Sequence, residues 1–314
     1  MIDDLSALVG EDLEDEVTQT EDTTPPWDEP ETTTSVVESQ PERPVRAANV
    51  PNFIGELQLG KEKYSTLIDV LNFVQNLCDD FVVSNGFTRA VANDRSTILN
   101  VDFTGIFSPD TELILSQVSK KYALLDLFKK QQVEMYLDIQ TNKYQFRDSM
   151  SKFVFEKPAI DYLNTPALSE SDLATRIGAD TNRRILSCTL NKMILDRITS
   201  GSKSLQCELL LVDFSDGKCT FKMSPADQNA SMYIDLLSFQ DELDETDLSG
   251  VAPFAIKSVQ AMLYTGVDEI KVDLYHSVRG EDILSMRFSC ALQISGTDIK
   301  IPIEAWALAQ LVNP

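Results

Sequence analysis

Between residues 87 and 148 the chain reads Phe87-Thr-Arg-Ala-Val-Ala92, then Thr97-Ile-Leu-Asn-Val-Asp-Phe103, then Tyr122-Ala-Leu-Leu-Asp-Leu-Phe-Lys129, then Val133-Glu-Met-Tyr-Leu-Asp-Ile139 and Lys143-Tyr-Gln-Phe-Arg-Asp148. Leu99, Val101 and Phe103 alternate with polar residues, as do Val133, Met135, Leu137 and Ile139, and as do Tyr144 and Phe146. Period-2 patterns of this length predict half-buried strands. Thr141-Asn142 between the last two reads as a turn. Over Ser119–Lys130 the period changes to that of a helix, with Tyr122, Leu124, Leu125 and Phe128 on one arc. Lys121 falls on that apolar side, so the helix is expected to start just after it. Short strands joined by tight turns, with a helix between, predict an antiparallel sheet with a helix laid on one face.

The pattern extends both ways. Upstream, Phe53–Leu59 alternates like a strand, and Lys61–Cys78 has helical spacing through Tyr64, Leu67, Leu71, Val74 and Cys78. Phe81–Ser84 and Phe87–Ala92 flank Asn85-Gly86, a hairpin signal. Glu112–Ser116 and Lys152–Glu156 are further strands. Residues 158–184 carry Pro158, Pro166, Ser169, Ser171 and Gly178 and read as a connector, with a short helical turn over Ser169–Arg176. The order then returns. Ile185–Thr189 reads as a strand and Asn191–Ser200 as a helix. Leu205–Phe214 and Lys218–Met223 flank the turn Ser215-Asp-Gly-Lys218, and Met232–Leu237 follows. Gln240–Leu248 is an acidic insertion. Pro253–Tyr264 reads as a helix with Pro253 in its first turn. Glu269–Tyr275, Ile283–Ile294 and Asp298–Ala305 are strands. Each half is thus expected to run strand–helix–three strands–helix–three strands, a repeat of element order rather than of residues. The fold class is α+β: two tandem domains, 51–157 and 185–314, each of antiparallel sheets with two helices.

Residues 1–50 differ. They hold 14 acids against Arg43 and Arg46 and contain five prolines. So little apolar surface cannot offset chain entropy, and an extended, disordered acidic arm is expected. One stretch, Ile2-Asp-Asp-Leu5-Ser-Ala-Leu8-Val9, could set Ile2, Leu5 and Leu8 on one helical face that docks into a groove.

The whole chain of 314 residues has 50 Asp+Glu against 27 Lys+Arg, a net charge of −23, which excludes a generally basic coat for nucleic acid but not a local basic surface. No run of 18 apolar residues suits a membrane span, and the first residues lack the basic flank and apolar centre of a secretion signal. A cytoplasmic location is expected. Five cysteines, none in a Cys-x-x-Cys pair, read as reduced, buried side chains. A single histidine, His276, rules out a histidine triad or a multi-histidine metal site. There is no glycine-rich phosphate loop. Asp79-Asp80 could ligate Mg²⁺, although their neighbours read as a solvated turn. No cofactor and no catalytic residue are expected.

The strings between Phe87 and Asp148, with the repeated element order, resemble the DNA sliding clamp family, closest to the two-domain clamps of tailed bacteriophages. The resemblance covers about residues 51–305. It implies a non-enzymatic processivity factor: subunits joined head to tail into a ring, usually a trimer, that encircles duplex DNA without reading sequence and tethers a DNA polymerase after delivery by a clamp loader, in replication and also in transcription. If the protein is viral, the host cytoplasm is its place. The edges expected to pair between subunits are Ser151–Lys157 and Ala230–Leu237. Helices should line the hole with basic faces. The lysines on those faces are Lys61, then Lys120, Lys129 and Lys130, then Lys192 and Lys203, and Lys257. Asp69, Asp126 and Asp196 share the same faces and dilute the field. Partner docking by a short hydrophobic peptide beside the connector points to Ile160, Tyr162 and Leu163. The arm falls outside the compact family pattern; mimicking DNA or recruiting a partner are its two expected roles. A viral structural or assembly protein with tandem β-rich domains is the competing reading, and a Mg²⁺ enzyme the third.

Overall fold

The computed structural model describes residues 53–138, 140–164, 167–178, 182–215, 218–225, 230–236, 240–243, 250–277 and 283–310. The acidic arm, with Ile2, Leu5 and Leu8, lies outside the described residues. In chain order the elements are β1 (Phe53–Leu59), α1 (Lys61–Val74), β2 (Phe81–Val83), β3 (Phe87–Val91), β4 (Thr97–Asp102), β5 (Leu113–Leu115) and α2 (Val118–Leu125), which passes into a 3-10 turn over Asp126–Phe128. Then come β6 (Val133–Asp138), β7 (Lys143–Arg147) and β8 (Lys152–Glu156). The connector holds a 3-10 turn (Ile160–Tyr162) and α3 (Glu170–Ile177). The second half has β9 (Asn182–Asn191), α4 (Lys192–Leu205), β10 (Leu209–Ser215), β11 (Lys218–Met223), β12 (Met232–Asp235), β13 (Gln240–Leu243), β14 (Gly250–Ala255), α5 (Ile256–Leu263), β15 (Glu269–Ser277), β16 (Ile283–Gln293) and β17 (Lys300–Leu308).

The class is α+β, with antiparallel ladders throughout. One four-stranded sheet has the order β1-β6-β7-β8, another β12-β11-β10-β14, and β2 pairs with β5. A seven-stranded sheet, β13-β9-β15-β16-β17-β4-β3, draws strands from both halves of the chain. Its seam is the β17–β4 ladder, where Ala305 faces Leu99 and Trp306 faces Ile98. Strand alternation gives this sheet two unlike faces. One row across it is Cys188, Val272, Phe288, Ala305, Leu99 and Ala90, all in the main core. The adjacent row, on the opposite face, is Ser187, Asp273, Arg287, Trp306, Ile98 and Val91.

The helices form a layer in the order α2–α1–α5–α4 by their contacts. The Tyr64 hydroxyl of α1 donates to the Leu125 carbonyl of α2 at 2.9 Å, and burial raises its pKa further above the phenol range. The buried hydroxyls of Ser258 on α5 and Thr97 on β4 lie 2.5 Å apart, a bond between the halves. Gln260 of α5 donates to Ser202 of α4 at 2.9 Å.

Several expectations need correction. Four strands, not three, separate the two helices of the first half, and five separate α4 from α5. Pro253 does not open a helix: it lies in β14 opposite Leu211, and α5 begins at Ile256. β14 is the last strand of its sheet, where a residue without an N–H is tolerated. The expected strand at Leu205 starts four residues later, because α4 runs on to Leu205. Gly201 permits this: a Cβ there would come within 2.5 Å of the Met232 sulfur, so the helix lies close against β12. The acidic insertion supplies β13, which pairs with β9. Lys121 is inside α2, not before it. It is half-buried with its ammonium on the Ser116 carbonyl, and burial lowers its pKa.

Candidate nucleic-acid interface and partner surfaces

α4 is positioned by its own sequence. Asn191 caps it, accepting the Ile194 N–H at 3.0 Å, and Ile194, Leu195 and Ile198 turn into the core. That leaves Lys192, Asp196, Thr199 and Lys203 on the open side. α5 buries Val259 and Met262 and leaves Lys257 exposed. Between the two helices runs a groove of about 550 Å³, lined by Lys192, Thr199, Lys203, Lys257, Gln260 and Tyr264, with Asp196 on α4 and Asn76 just past α1. The structure therefore brings Lys192, Lys203 and Lys257 to one surface. None of the three makes an ion pair among the described residues. Lys203 and Lys257 also line a neighbouring cleft of about 480 Å³, with Gln206 and Gln310. Arg197 is exposed on α4 beside Lys192 and Met193. It sits one step off the arc of Lys192, Asp196 and Thr199, where helical spacing alone does not single it out.

The first-half lysines are placed differently. Lys129, in the cap of the 3-10 turn, is 2.6 Å from Asp69 of α1. Burial pulls its pKa down, but the hydrogen bond and charge of Asp69 outweigh this and raise it. Lys120 donates to Gln117 at 3.3 Å. Lys61, at the start of α1, and Lys130, with φ of 75°, are exposed and are not part of the α4–α5 groove. A left-handed backbone at Lys130 ends the helical segment and turns the chain toward β6.

Both expected edges lie at sheet ends. β8 is outermost next to β7, and β12 outermost next to β11. Val154 in the middle of β8 is 43 % exposed and Tyr233 of β12 is 60 % exposed. Leu127 and Met150 near β8, and Met193 near the start of α4, are exposed apolar side chains as well. Ile160 and Tyr162 are exposed in the connector turn, Tyr162 at 85 %, while Leu163 is half-buried. Asp80 anchors this turn by accepting the Asn164 N–H at 2.5 Å. Asp80 thus anchors the connector, while the Asp79 backbone bonds to Asn93 and Val118, and among the described residues no group of three or more His, Cys, Asp or Glu comes together as a metal cluster. The Cys78 and Cys219 thiols are buried, which pushes their pKa up and away from thiolate chemistry. His276 is buried at the β15–β16 end, where β15 lies beside β9. Among the described residues no helix is long and apolar enough to cross a membrane.

No protein-family model matches the sequence, and no curated protein is similar to it. Solved structures are similar in fold. The proliferating cellular nuclear antigen (PCNA) of Entamoeba histolytica aligns over 82 % of this chain and 99 % of its own at 12 % identity, with a TM-score of 0.56. PCNA of A. fulgidus, solved with the C-terminal region of FEN-1 bound, aligns over 82 % and 99 % at 9 % identity, TM-score 0.58. PCNA of Thermococcus kodakaraensis aligns over 81 % and 99 % at 13 % identity, TM-score 0.54. The chain has the fold of the PCNA sliding clamps.

Proposed function

We propose that this protein is a DNA sliding clamp, a non-enzymatic ring that holds a polymerase on duplex DNA. The observation that carries the reading is the clamp fold presenting a helix layer on which Lys192, Lys203 and Lys257 share one groove without ion-pair partners among the described residues. Three copies assemble head to tail, β8 of one beside β12 of the next, as heterologous contacts do when their rotation closes. Val154, Leu127 and Met150 would meet Tyr233 and Met193 across that joint. The two domains, 51–157 and 185–314, repeat around the ring, and each lysine is triplicated in a channel whose low-dielectric walls focus the field. Lys61, Lys120, Lys129 and Lys130 extend this lining with weaker effect, since Lys129 is neutralised by Asp69. Such contacts hold phosphates without sequence readout, which suits sliding. Ile160, Tyr162 and Leu163 flank the site for partner peptides, among them those of a polymerase and a loader. The strings from Phe87 to Asp148 support a nearer kinship with two-domain phage clamps and a host-cytoplasmic setting.

The test is topological. A closed ring loaded on nicked circular DNA stays bound at high salt and runs off when the circle is cut, whereas a surface binder leaves both as salt rises. Solution mass should give three copies. A single-copy mass, or equal release from circles and linear DNA, would discard the reading in favour of a structural role.

A further inference from the structure

The groove between α4 and α5 holds more chemistry than a track for phosphates needs. Along α4, Lys192, Asp196, Thr199 and Lys203 recur at steps of three and four residues. Along α5, Lys257, Gln260 and Tyr264 do the same, so each set forms one wall. Phosphate oxygens have a use for the three lysines and none for the rest. Tyr264, at the C-terminal cap of α5, is 46 % exposed, although Val259 and Met262 of the same helix are buried. Asp196 is exposed and sets a carboxylate among the cations, which works against phosphate. The Gln260 amide nitrogen donates to Ser202 Oγ at 2.9 Å. That bond fixes the side chain and leaves its carbonyl oxygen open to a donor.

Two further observations point the same way. The groove, at about 550 Å³, lies within the range of small-molecule sites, about 300–1,000 Å³. The matching helix pair of the first half, α1 and α2, does not repeat its chemistry: Lys129 is tied to Asp69, and Tyr122 is packed against the core. A lining that served only a passing phosphate backbone would gain nothing from this difference. An aromatic ring between cations, with an amide and a carboxylate at hand, is instead the composition of sites that take unstacked bases. A paired duplex keeps its base faces stacked and offers this groove phosphates alone.

We propose that this groove takes one unpaired nucleotide, its base stacked on Tyr264 and its phosphate among Lys192, Lys203 and Lys257. Asp196 accepts from an exocyclic amine of the base, which favours adenine, cytosine and guanine over thymine, which has none. Gln260 Oε1 accepts from a second donor on the base or the sugar. The groove lies within one chain and is complete without a ring. The inference deepens the clamp reading and rests on it only for the supply of DNA. The same chemistry reaches the groove as a free nucleotide or as a base turned out of a strand, which is easiest where the base is already unpaired.

The test uses the full chain, with dAMP, dTMP and inorganic phosphate as probes and calorimetry as the readout. dAMP should bind at least about fivefold more tightly than inorganic phosphate, the low end of what stacking a base on an aromatic ring gives. Tyr264→Leu should erase that gain and leave phosphate binding and thermal unfolding as they were. Asp196→Ala should strengthen phosphate binding and bring dAMP and dTMP to within about twofold of each other. Equal affinity for dAMP and phosphate, or an unchanged gain in Tyr264→Leu, overturns the proposal. Should Tyr264→Leu fail to fold, Asp196→Ala decides: a preference for dAMP over dTMP that survives it overturns the proposal, and one that disappears supports it. Two duplexes of equal length, one fully paired and one with a single unpaired adenosine, identify the source. Tighter binding of the second, lost in Tyr264→Leu, assigns the base to DNA, and a gain with dAMP alone assigns a free nucleotide. Retention on circular DNA, read on the same proteins, separates the two ideas. A chain that leaves the circles yet prefers dAMP to phosphate sinks the clamp alone, and the converse sinks the groove alone.

Discussion

On the helix side of the seven-stranded sheet, Leu99, Ala305, Phe288 and Val272 pack in the main core. One residue along the same strands, the half-buried Arg287 and the fully buried Asp273 form an ion pair beside Trp306 on the other side. Asp273 is fully buried, and Arg287 donates to it through both Nε, at 3.0 Å, and a terminal nitrogen. Arg287 also reaches Glu304 at 3.5 Å and lies over the Tyr275 and Trp306 rings. Burial works against the guanidinium charge, but Asp273, Tyr275 and Glu304 outweigh it and raise the pKa. The helix side is thus held by non-directional burial, which tolerates sliding of volume for volume. The outer side is held by directional polar contacts and by a thin apolar graft, Leu173 of α3 on Ile98 and Trp306. Both sides contribute to stability, the first through packing and the second through the Asp273–Arg287 contact.

The comparison can be broken in several ways. Asp273→Ala removes the fully buried carboxylate from the half-buried Arg287, which then keeps only Glu304, and should cost about 2–5 kcal/mol in urea unfolding; a loss near zero would mean the outer face behaves as solvent. Leu99→Ala, one residue from Ile98 but in the core row, should cost about 2–5 kcal/mol. Reversing Lys192, Lys203 and Lys257 to Glu should change stability by no more than about 0.5 kcal/mol. Yet it should weaken DNA association and flatten its dependence on log salt by about one unit per lysine. An unaltered slope would remove the α4–α5 groove from the DNA path. Ser169→Ala should cost α3 about 1 kcal/mol of protection while leaving β17 untouched. The same cap gives a pH signature. The Ser169 hydroxyl, then its backbone N–H, hold the Asp172 pKa below the usual carboxylate range. A group depressed in the folded state stabilises above its ordinary pKa, and that contribution disappears as pH falls through the folded value. With Trp27→Phe leaving Trp306 as the single indole, its emission should therefore shift to the red below about pH 4, and less so in Ser169→Ala. Smallest of all, Asp69→Ala should free Lys129 and cost less than about 1 kcal/mol, since both side chains are partly exposed.

Much of this was legible in the residues because local chemistry agrees with the fold. Asn85-Gly86 takes φ of 52° and 79°, the two left-handed positions a tight hairpin needs, and Asn142 takes 53°. Tyr144 and Phe146 alternate in β7 as their spacing says. What stayed hidden is what long-range packing decides. Helix propensity falls at Ser200-Gly-Ser, so α4 was expected to stop there; contact with Met232 from β12 keeps it going, a fact no local window holds. Pro253 reads as a helix start until its strand is known to lie at an edge. Of the seven lysines singled out, charge pattern alone could not tell those in the α4–α5 groove from Lys129, because the carboxylate that neutralises it is 60 residues away. That Leu173 of α3 packs on Ile98 and Trp306 is likewise decided by contacts distant in the chain.

The ladder between β4 and β17 has a consequence for biosynthesis. Thr97–Val101 cannot find the neighbour that completes its sheet until residues 303–307 have left the ribosome, some two hundred positions later. Until then the nascent first half shows an open strand beside Asn100 and Leu99, the kind of template that recruits another chain. Such distant pairing also slows folding, because loop closure must come before the contacts that reward it. Emergence of β17 is therefore the event that completes this sheet, and chains shortened before Lys300 should appear as aggregates bound to chaperones rather than as half-sized folded products.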